Sequence, residues 1–405
     1  MQQSLNDFSK LNIQYSVGSG PIMSEMQSAP AKVPFAESVV EFLNAVAKVL
    51  LSDREAKRYP DVVTLGFWMR KASIEELKKR FTHSDKSIMK LGRGVAFHIA
   101  PSNVPVNYAY SLITGLLCGN KNVVRIPSKE FDQVRIINKA FNKVLTDMPE
   151  MKPYICLVKY GHESTINDAM SAIADVRVVW GGDNTISELR KSKMKPRAVE
   201  VTFADRYSLA VIDSDAYLTI DNKSKVAQDF YNDTYLTDQN ACTSSRAVVW
   251  MGSRIVEAKE VFWNELHTFI DGKYIISGVQ AINKLTSGYI LAAVKDGVKK
   301  IISKDNLIIR MSVPALTADL MELKDNSGYF FEYDCSNIME IRDFCNDTRC
   351  QTLSYIGDKE IVKPLVMSGI VGIDRVVPMG KTMDFDLIWD GYNLYESMTR
   401  NIVLK

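Results

Sequence analysis

The chain is sparing with several of the residues that would mark a specialised protein. It has six cysteines in 405 residues (Cys118, Cys156, Cys242, Cys335, Cys345 and Cys350), scattered without a repeating spacing. That pattern excludes a disulfide framework, and it points to a reducing cytosol and a cytoplasmic protein. No sign of charge dominates: 50 basic residues face 48 acidic ones, for a formal charge of +2. Nucleic acid and polybasic membrane contact are therefore not expected as its business. Long apolar runs are missing too. The longest, "NVPVNYAYSLITGLLCG", carries two asparagines and two glycines and falls short of a spanning helix, so no stable membrane insertion is expected. The opening "MQQSLNDFSKLNIQYS" has no basic start followed by an apolar stretch, so no signal peptide is expected. Metal-type cysteine spacing is absent, and no metal is expected. What remains is an ordinary globular composition, 46% hydrophobic and 24% charged, with length for two or three domains.

The periodicity then sorts the chain. In "SVVEFLNAVAKVLL" apolar residues recur at Val39, Phe42, Leu43, Val46, Val49 and Leu50, the spacing of an amphipathic helix. Ser73 and Glu76 of "SIEE" are placed as a capping box, so the first 90 residues or so read as a helical lead-in. Beyond them "GVAFHIA", "NVVRIP", "YICLVKY" and "VRVVW" are short β-branched and aromatic runs separated by helical stretches such as "SKEFDQVRIINKAFNKVL". Strand and helix in alternation imply a parallel sheet covered on both faces, an α/β fold. The alternation resumes after "TFADRYS" with "SLAVID", a helix near 221–236, "RAVVWM" and "IVEAKEVFWNELHTFI", which makes a second α/β unit.

Two stretches suggest chemistry. "VRVVWGGDNTISELR" is a strand, a Gly181–Gly182 turn and a helix start, where free N–H groups and a positive dipole end could receive a phosphate. The full G-x-G-x-x-G fingerprint is missing, so the residues alone leave a tight connection as an equal alternative. "NVVRIPSKE" ends a strand in Arg125 and opens a helix with Ser128 and Lys129, cations and a hydroxyl that suit a ribose or its phosphate, or simply a solvated helix start. In "TDQNACTSSR" small and polar neighbours leave Cys242 open to approach, while a buried small hydrophobe is the plain alternative. Cys118 falls in an apolar helix, Cys156 in a strand, and Cys345 with Cys350 on a helix. Asn103 in "AFHIAPSNVPVN" stands where a strand hands over to a helix, as an oxyanion donor or a cap. His98 reads as a strand residue with a satisfied ring.

Taken in order, these pieces resemble the aldehyde dehydrogenase superfamily, and within it the LuxC-type acyl-CoA reductases, the long-chain fatty acyl reductase subunits known from bacterial luminescence. "HIAPSNVPV", "SLITGLLCGNKNVVRIPSK", "VVWGGDNT", "DQNACTSS" and the late "DRVVPMGKTMDFDLIWDGYNL" carry the resemblance, which runs from about residue 90 to the end. It implies an aldehyde dehydrogenase-like fold with a Rossmann-type cofactor domain and an α/β catalytic domain. Residues 1–206 would hold the lead-in and the NAD(P) domain, 207–375 the catalytic cysteine domain, and 376–405 a C-terminal return and oligomerisation segment. The reaction implied is reduction of an acyl thioester, fatty acyl-CoA or acyl-protein, to the aldehyde with NADPH. Cys242 would be the nucleophile and Asn103 an oxyanion donor, with Gly181, Gly182, Thr185, Arg125 and Ser128 on the cofactor side. An acylated partner protein, an acyl-protein synthetase and a homo-oligomer built through the tail are the implied partners.

Two departures bear on this. Ile126 stands where the superfamily carries a lysine two residues before the serine, and "VEVTFADRYS" lacks the Glu-Leu-Gly-Gly motif of oxidising members, with Glu200 nearby. A hydrolytic NAD-dependent aldehyde dehydrogenase and a catalytically silent scaffold subunit are the competing readings.

Overall fold

A computed structural model describes residues 8–82, 87–101, 104–161 and 163–405. Its contacts divide the chain into two units, one running to Ala204 and resuming at Phe385, the other Asp205–Asp384.

The first unit contains strands β1 (Gln14–Val17), β2 (Ile88–Gly92), β3 (Val95–Ile99), β4 (Lys121–Arg125), β5 (Ile155–Lys159), β6 (Val176–Trp180) and β7 (Val199–Phe203). Its helices are α1 (Gly20–Ser28), α2 (Glu37–Ser52), α3 (Pro60–Trp68), α4 (Lys71–Phe81), α5 (Asn107–Leu117), α6 (Asp132–Asp147), α7 (Ser164–Ile173) and α8 (Asp183–Arg190). Six strands form one sheet in the order β1-β5-β4-β3-β6-β7. All neighbours are parallel except β1, which adds antiparallel to β5. The chain moves outward from β3 to β4 and β5, then returns to the other side of β3 for β6 and β7. The reversal between β3 and β6 is the place where open parallel sheets bind ligands.

The residue-by-residue alternation of β3 explains how this sheet is covered. Val95, Phe97 and Ile99 enter a core with Ile166, Ala169 and Met170 of α7, while Ala96 joins the opposite core of α2, α5 and α6. His98 shares that second face. Its ring is wholly buried, with Nδ1 2.7 Å from Ser111 Oγ and Nε2 3.0 Å from Asn122 Oδ1. Asn122 uses its amide nitrogen on the Asn120 carbonyl at 2.9 Å, so its Oδ1 faces His98 and accepts the Nε2 proton. Nδ1 then accepts from the Ser111 hydroxyl, whose oxygen accepts from Trp180 Nε1 at 3.1 Å. The ring is satisfied, as the sequence suggests.

The lead-in is less purely helical than its composition implies, since β1 joins the sheet; four residues, "QYSV", are too few to display an alternation. The capping box at Ser73 does not form. The helix α4 starts at Lys71, which places Ser73 inside its first turn, and the hydroxyl donates to the Phe67 carbonyl at 3.0 Å instead.

The second unit holds β8 (Tyr207–Asp213), β9 (Ser245–Met251), β10 (Lys299–Ile302), β11 (Ile309–Ser312), β12 (Tyr329–Asp334), β13 (Cys350–Ile356) and β14 (Arg375–Pro378). Their order is β10-β11-β12-β9-β8-β13-β14, parallel apart from the β10 edge. Helices α9 (Ser214–Thr219), α10 (Lys223–Asp233), α11 (Ile255–Ile270), α12 (Gly278–Val294), α13 (Arg342–Cys345) and α14 (Lys363–Met367) accompany it. Cys350 opens β13 rather than sharing a helix with Cys345, because α13 ends there. Beneath the sheet the fully buried Glu332 accepts from the Trp250 and Trp263 indoles at 3.0 and 2.7 Å and from Arg310 at 2.9 Å, so its charge is paired as burial requires.

Residues 376–384 stay with the second unit, later than the junction at 375 expected from sequence. The reason is local: β14 pairs with β13, and Asp233 at the end of α10 binds the backbone of Gly380 and Thr382. The tail returns to the first unit through the short pair β15 (Ile388–Trp389) and β16 (Tyr392–Asn393), then α15 (Leu394–Met398) and β17 (Thr399–Val403). The strand expected in the tail is β17, and it pairs antiparallel with β2 of the same chain. Among the described residues no helix is long and apolar enough to cross a membrane.

Burial draws the His98 ring down from 6.5 to about 4, with the Asn122 contact pulling weakly the other way. The unfolded chain therefore takes up a proton near pH 6.5 that the folded chain refuses until near 4. The contribution of the neutral ring is complete above pH 6.5 and is lost as pH falls toward 4. His98→Gln should remove that slope. In urea denaturation the stability gap between the native chain and the variant should be widest at neutral pH and narrow in acid; a constant gap would count against this account.

Candidate active site

Cys242 sits in the turn that leads from α10 into β9. Asp238 and Gln239 both take left-handed backbone angles there, with φ of 52° and 56°. Neither is glycine, and each such residue costs about 1–2 kcal/mol. The buried Gln239 side chain offsets the cost. Its Oε1 accepts from the Gly328 and Tyr329 amides at 2.7 and 3.0 Å, and its Nε2 donates to the Ser245 and Tyr329 carbonyls, each at 3.1 Å. The next residues fold into a compact turn, with the Ser244 amide donating to the Ala241 carbonyl at 3.0 Å. Ser208, at the start of β8, donates its hydroxyl to the carbonyl of Cys242 itself at 2.8 Å. The turn that carries Cys242 is thus held by side chains at both of its ends, Gln239 within it and Ser208 on β8.

Exposure separates Cys242 from the other five cysteines. It is half-buried, whereas Cys118, Cys156, Cys335, Cys345 and Cys350 are buried. Burial raises the Cys156 thiol to about 12 and the Cys335 thiol to about 11, and pushes Cys118 higher still. Such thiols do not ionise near neutrality and have no approach for an electrophile.

Close behind the turn lies the guanidinium of Arg246, 7% exposed. It donates to the carbonyls of Asp325, at 2.7 Å, and Gln239, and to Asn326 Oδ1. Burial draws Arg246 down to about 10, while negative charge at Asp205, Asp325 and Cys242 works in the opposite direction. A thiolate at Cys242 and this guanidinium therefore attract each other.

The residues expected on the cofactor side lie in the first unit, Gly181, Gly182 and Thr185 after β6 at the sheet's reversal point and Arg125 and Ser128 after β4. Gly181 follows β6, and a Cβ there would press on the Thr185 side chain at 3.1 Å; Gly182 has open space where its Cβ would be. Gly182 precedes α8 without a side-chain cap, so the first turn of that helix presents backbone N–H groups, beside the acidic Asp183. Gly181, Gly182 and Thr185 thus form one turn. Arg125 ends β4, where its guanidinium donates to the Tyr160 and Gly161 carbonyls at 3.3 and 2.8 Å and lies 4.6 Å from the Tyr160 ring. Ser128 is exposed beyond it, Lys129 sits 5.0 Å over the Phe131 ring, and Ile126 is buried. Asn103 lies outside the described residues.

Glu200, on β7, is bound by two arginines: Arg177 Nε at 2.8 Å and Arg190 Nε at 2.7 Å. Burial pushes its carboxyl upward, but hydrogen bonds from Arg190 and Arg177 outweigh this and hold it below its usual range. Ser208, Gln239 and Arg246 escape a reading by sequence. Gln239 and Arg246 fall inside "TDQNACTSSR", yet only the fold shows where their side chains go; Ser208 carries no signal at all.

With this geometry in view, the comparisons with known proteins are informative. The family model described as acyl-CoA reductase (LuxC) matches residues 34–268. A long-chain acyl-protein thioester reductase of Aliivibrio fischeri is 24% identical over 323 residues, 76% of this chain and 63% of that protein. The chain thus spans less than two thirds of that curated relative. Among solved structures, a NAD-dependent benzaldehyde dehydrogenase from Corynebacterium glutamicum aligns with a TM-score of 0.63 at 15% identity, covering 93% of this chain and 86% of the other. Lactaldehyde dehydrogenase from Escherichia coli gives 0.60 at 14% identity, covering 95% and 89%. At such identity these two establish the fold, that of the aldehyde dehydrogenases. The family match takes in more than half of the sequence, including both α8 and the cysteine turn, and the chain belongs to the LuxC family of acyl-CoA reductases.

Proposed function

We propose that this chain reduces a fatty acyl thioester to the aldehyde with NADPH, through an acyl group carried on Cys242. The observation that carries the reading is a half-exposed cysteine on a rigidly held turn, in a family of acyl-CoA reductases whose relative in Aliivibrio fischeri is named for acyl-protein thioesters. Cys242 attacks the thioester carbon as a thiolate. Its sulfur–carbon bond forms, the bond to the carrier sulfur breaks, and the carrier leaves as a thiolate that takes a proton from water. The carrier is coenzyme A or a cysteine of an acylated partner protein. Asn103 and the Cys242 N–H would steady the oxyanion. Bound NADPH supplies the hydride. Cys242 then leaves as thiolate while the former carbonyl carbon departs as the aldehyde.

The first turn of α8 and the open face of Gly182 suit the anionic part of a dinucleotide, with Gly181, Gly182 and Thr185 as its contacts and Arg125 and Ser128 toward the ribose side. Glu200 fits a structural role, since two guanidinium groups occupy its oxygens and hold it ionised. A base that activates water to discharge the acyl group needs a lone pair directed at that water.

Three results would test this. Labelled acyl-CoA without reductant should leave one thioester on the peptide containing Cys242, and Cys242→Ala should abolish label and turnover; retention of either overturns the assignment. The acyl group should persist in water for minutes and leave rapidly once NADPH is added. Rapid hydrolysis that slows in Glu200→Gln would favour the oxidising reading. NADPH should be preferred over NADH, and equal kcat and KM for the two would refute the preference drawn from Arg125 and Lys129.

A further inference from the structure

The mechanism makes no use of the segment Met379–Asp384, although this segment lies against the nucleophile's turn within the second unit. Two contacts define it. At one end Asp233, the last residue of α10 and 1% exposed, takes three hydrogen bonds from the segment. Its Oδ2 accepts from the Gly380 amide at 2.6 Å, and its Oδ1 accepts from the Thr382 amide at 3.1 Å and the Thr382 hydroxyl at 2.9 Å. Gly380 has φ of +88°, and a Cβ there would meet the Asp229 carboxylate at 2.6 Å, so the backbone crosses α10 at a point where only glycine fits. At the other end the Thr243 hydroxyl donates to the sulfur of Met383 at 3.0 Å.

Thr243 is buried and directly follows Cys242, whereas Cys242 and Met383 are both half-exposed. The arrangement thus pins an apolar, polarizable side chain by its sulfur against the residue that follows Cys242. An acyl group on Cys242 starts one bond from Sγ, and a long chain must cover whatever apolar surface lies next to it to gain from burial. Methionine suits a chain of variable shape because its thioether adapts to irregular contacts.

We propose that Met383 forms a wall of the acyl-chain site and that Asp233 is the positioning residue that holds this wall against the nucleophile's turn. The inference rests on the assignment of Cys242 as the acyl carrier. The charged groups around Asp233 are few. Asp229 lies one turn earlier on α10 and pairs with Lys225; Lys381, on the segment, faces both aspartates and pairs with Asp384 at 2.9 Å. Burial raises the Asp233 carboxyl to about 6, with Asp229 adding to the rise and the Gly380 and Thr382 bonds opposing it. Protonation below that range removes one acceptor from the three-bond clamp, so chain selection should weaken in mild acid.

The test uses the full chain with coenzyme A thioesters of butanoic, octanoic and tetradecanoic acid, following both turnover and label on the Cys242 peptide. Met383→Ala should lower kcat/KM for the tetradecanoyl thioester by about tenfold or more, through KM, and change the butanoyl value by less than about twofold. Met383→Leu should restore most of the loss. Asp233→Asn should show the same chain-selective loss and should flatten the decline of long-chain preference that the native chain shows below about pH 6. Thr382→Val, which removes only the hydroxyl, should give a smaller loss of the same kind and guards against misfolding of the aspartate variant. Equal loss for all chain lengths, or an unchanged profile in Met383→Ala, overturns the wall while Cys242 still carries label. Absence of label at Cys242 in the native chain overturns the acyl-carrier assignment itself.

Discussion

The amide of Gln239 joins the start of β9 to the start of β12 through four hydrogen bonds, and the shape of the turn that presents Cys242 depends on them. Two consecutive non-glycine residues at positive φ would open in isolation. Four buried bonds, each worth about 1 kcal/mol net, match a strain of a few kcal/mol. The balance also explains why the turn is rigid rather than merely folded. Releasing the amide would leave four buried backbone groups without a partner, and that costs more than the strain it would relieve. Arg246 extends the same support by tying the Gln239 carbonyl to the loop at Asp325 and Asn326. The guanidinium that closes the loop is therefore also the buried positive charge of the Cys242 turn.

A comparable economy governs the first unit. His98 faces the α5 side of the sheet, where a charged ring would be costly, and it stays neutral because burial dominates its titration. Its Nδ1 orients the Ser111 hydroxyl, and that hydroxyl receives the indole of Trp180, the residue just before Gly181. Trp180 also stacks on Phe203 with ring centroids 3.7 Å apart. The glycine turn is therefore free to be open and polar on its solvent side because the residue before it is fixed by packing and hydrogen bonding from beneath.

The two units use the same architecture for different ends. In the first, the features of interest follow the carboxyl ends of β4 and β6, and β6 flanks the point where strand order reverses. In the second, Cys242 precedes the amino end of β9, on a turn whose conformation is set by side chains from other strands. A turn after a buried parallel strand can rely on the helix dipole and backbone N–H groups. A turn before one has no such field and must be built from specific contacts, which is why so many of its supports are individual side chains: Ser208, Gln239 and Arg246.

Local sequence determined the elements and marked the candidate positions for chemistry. Continuous apolar runs placed β3, β4, β5 and β6, helical spacing placed α2 and α6, and the ordered motifs pointed to the aldehyde dehydrogenase fold and to Cys242. These features are short-range: periodicity of burial and the residue types a turn tolerates can be read within ten residues. The capping box at Ser73 shows the limit even there, since a helix start three residues earlier redirected the hydroxyl to Phe67. Everything that required distant partners was decided by the tertiary structure. Gln239 meets Tyr329 ninety residues away, Asp233 meets Thr382 across 149, and Glu200 is held by Arg177 across 23. No local pattern encodes such pairs, because a hydrogen bond between distant residues depends on strand order and register, which are set only when the sheets assemble.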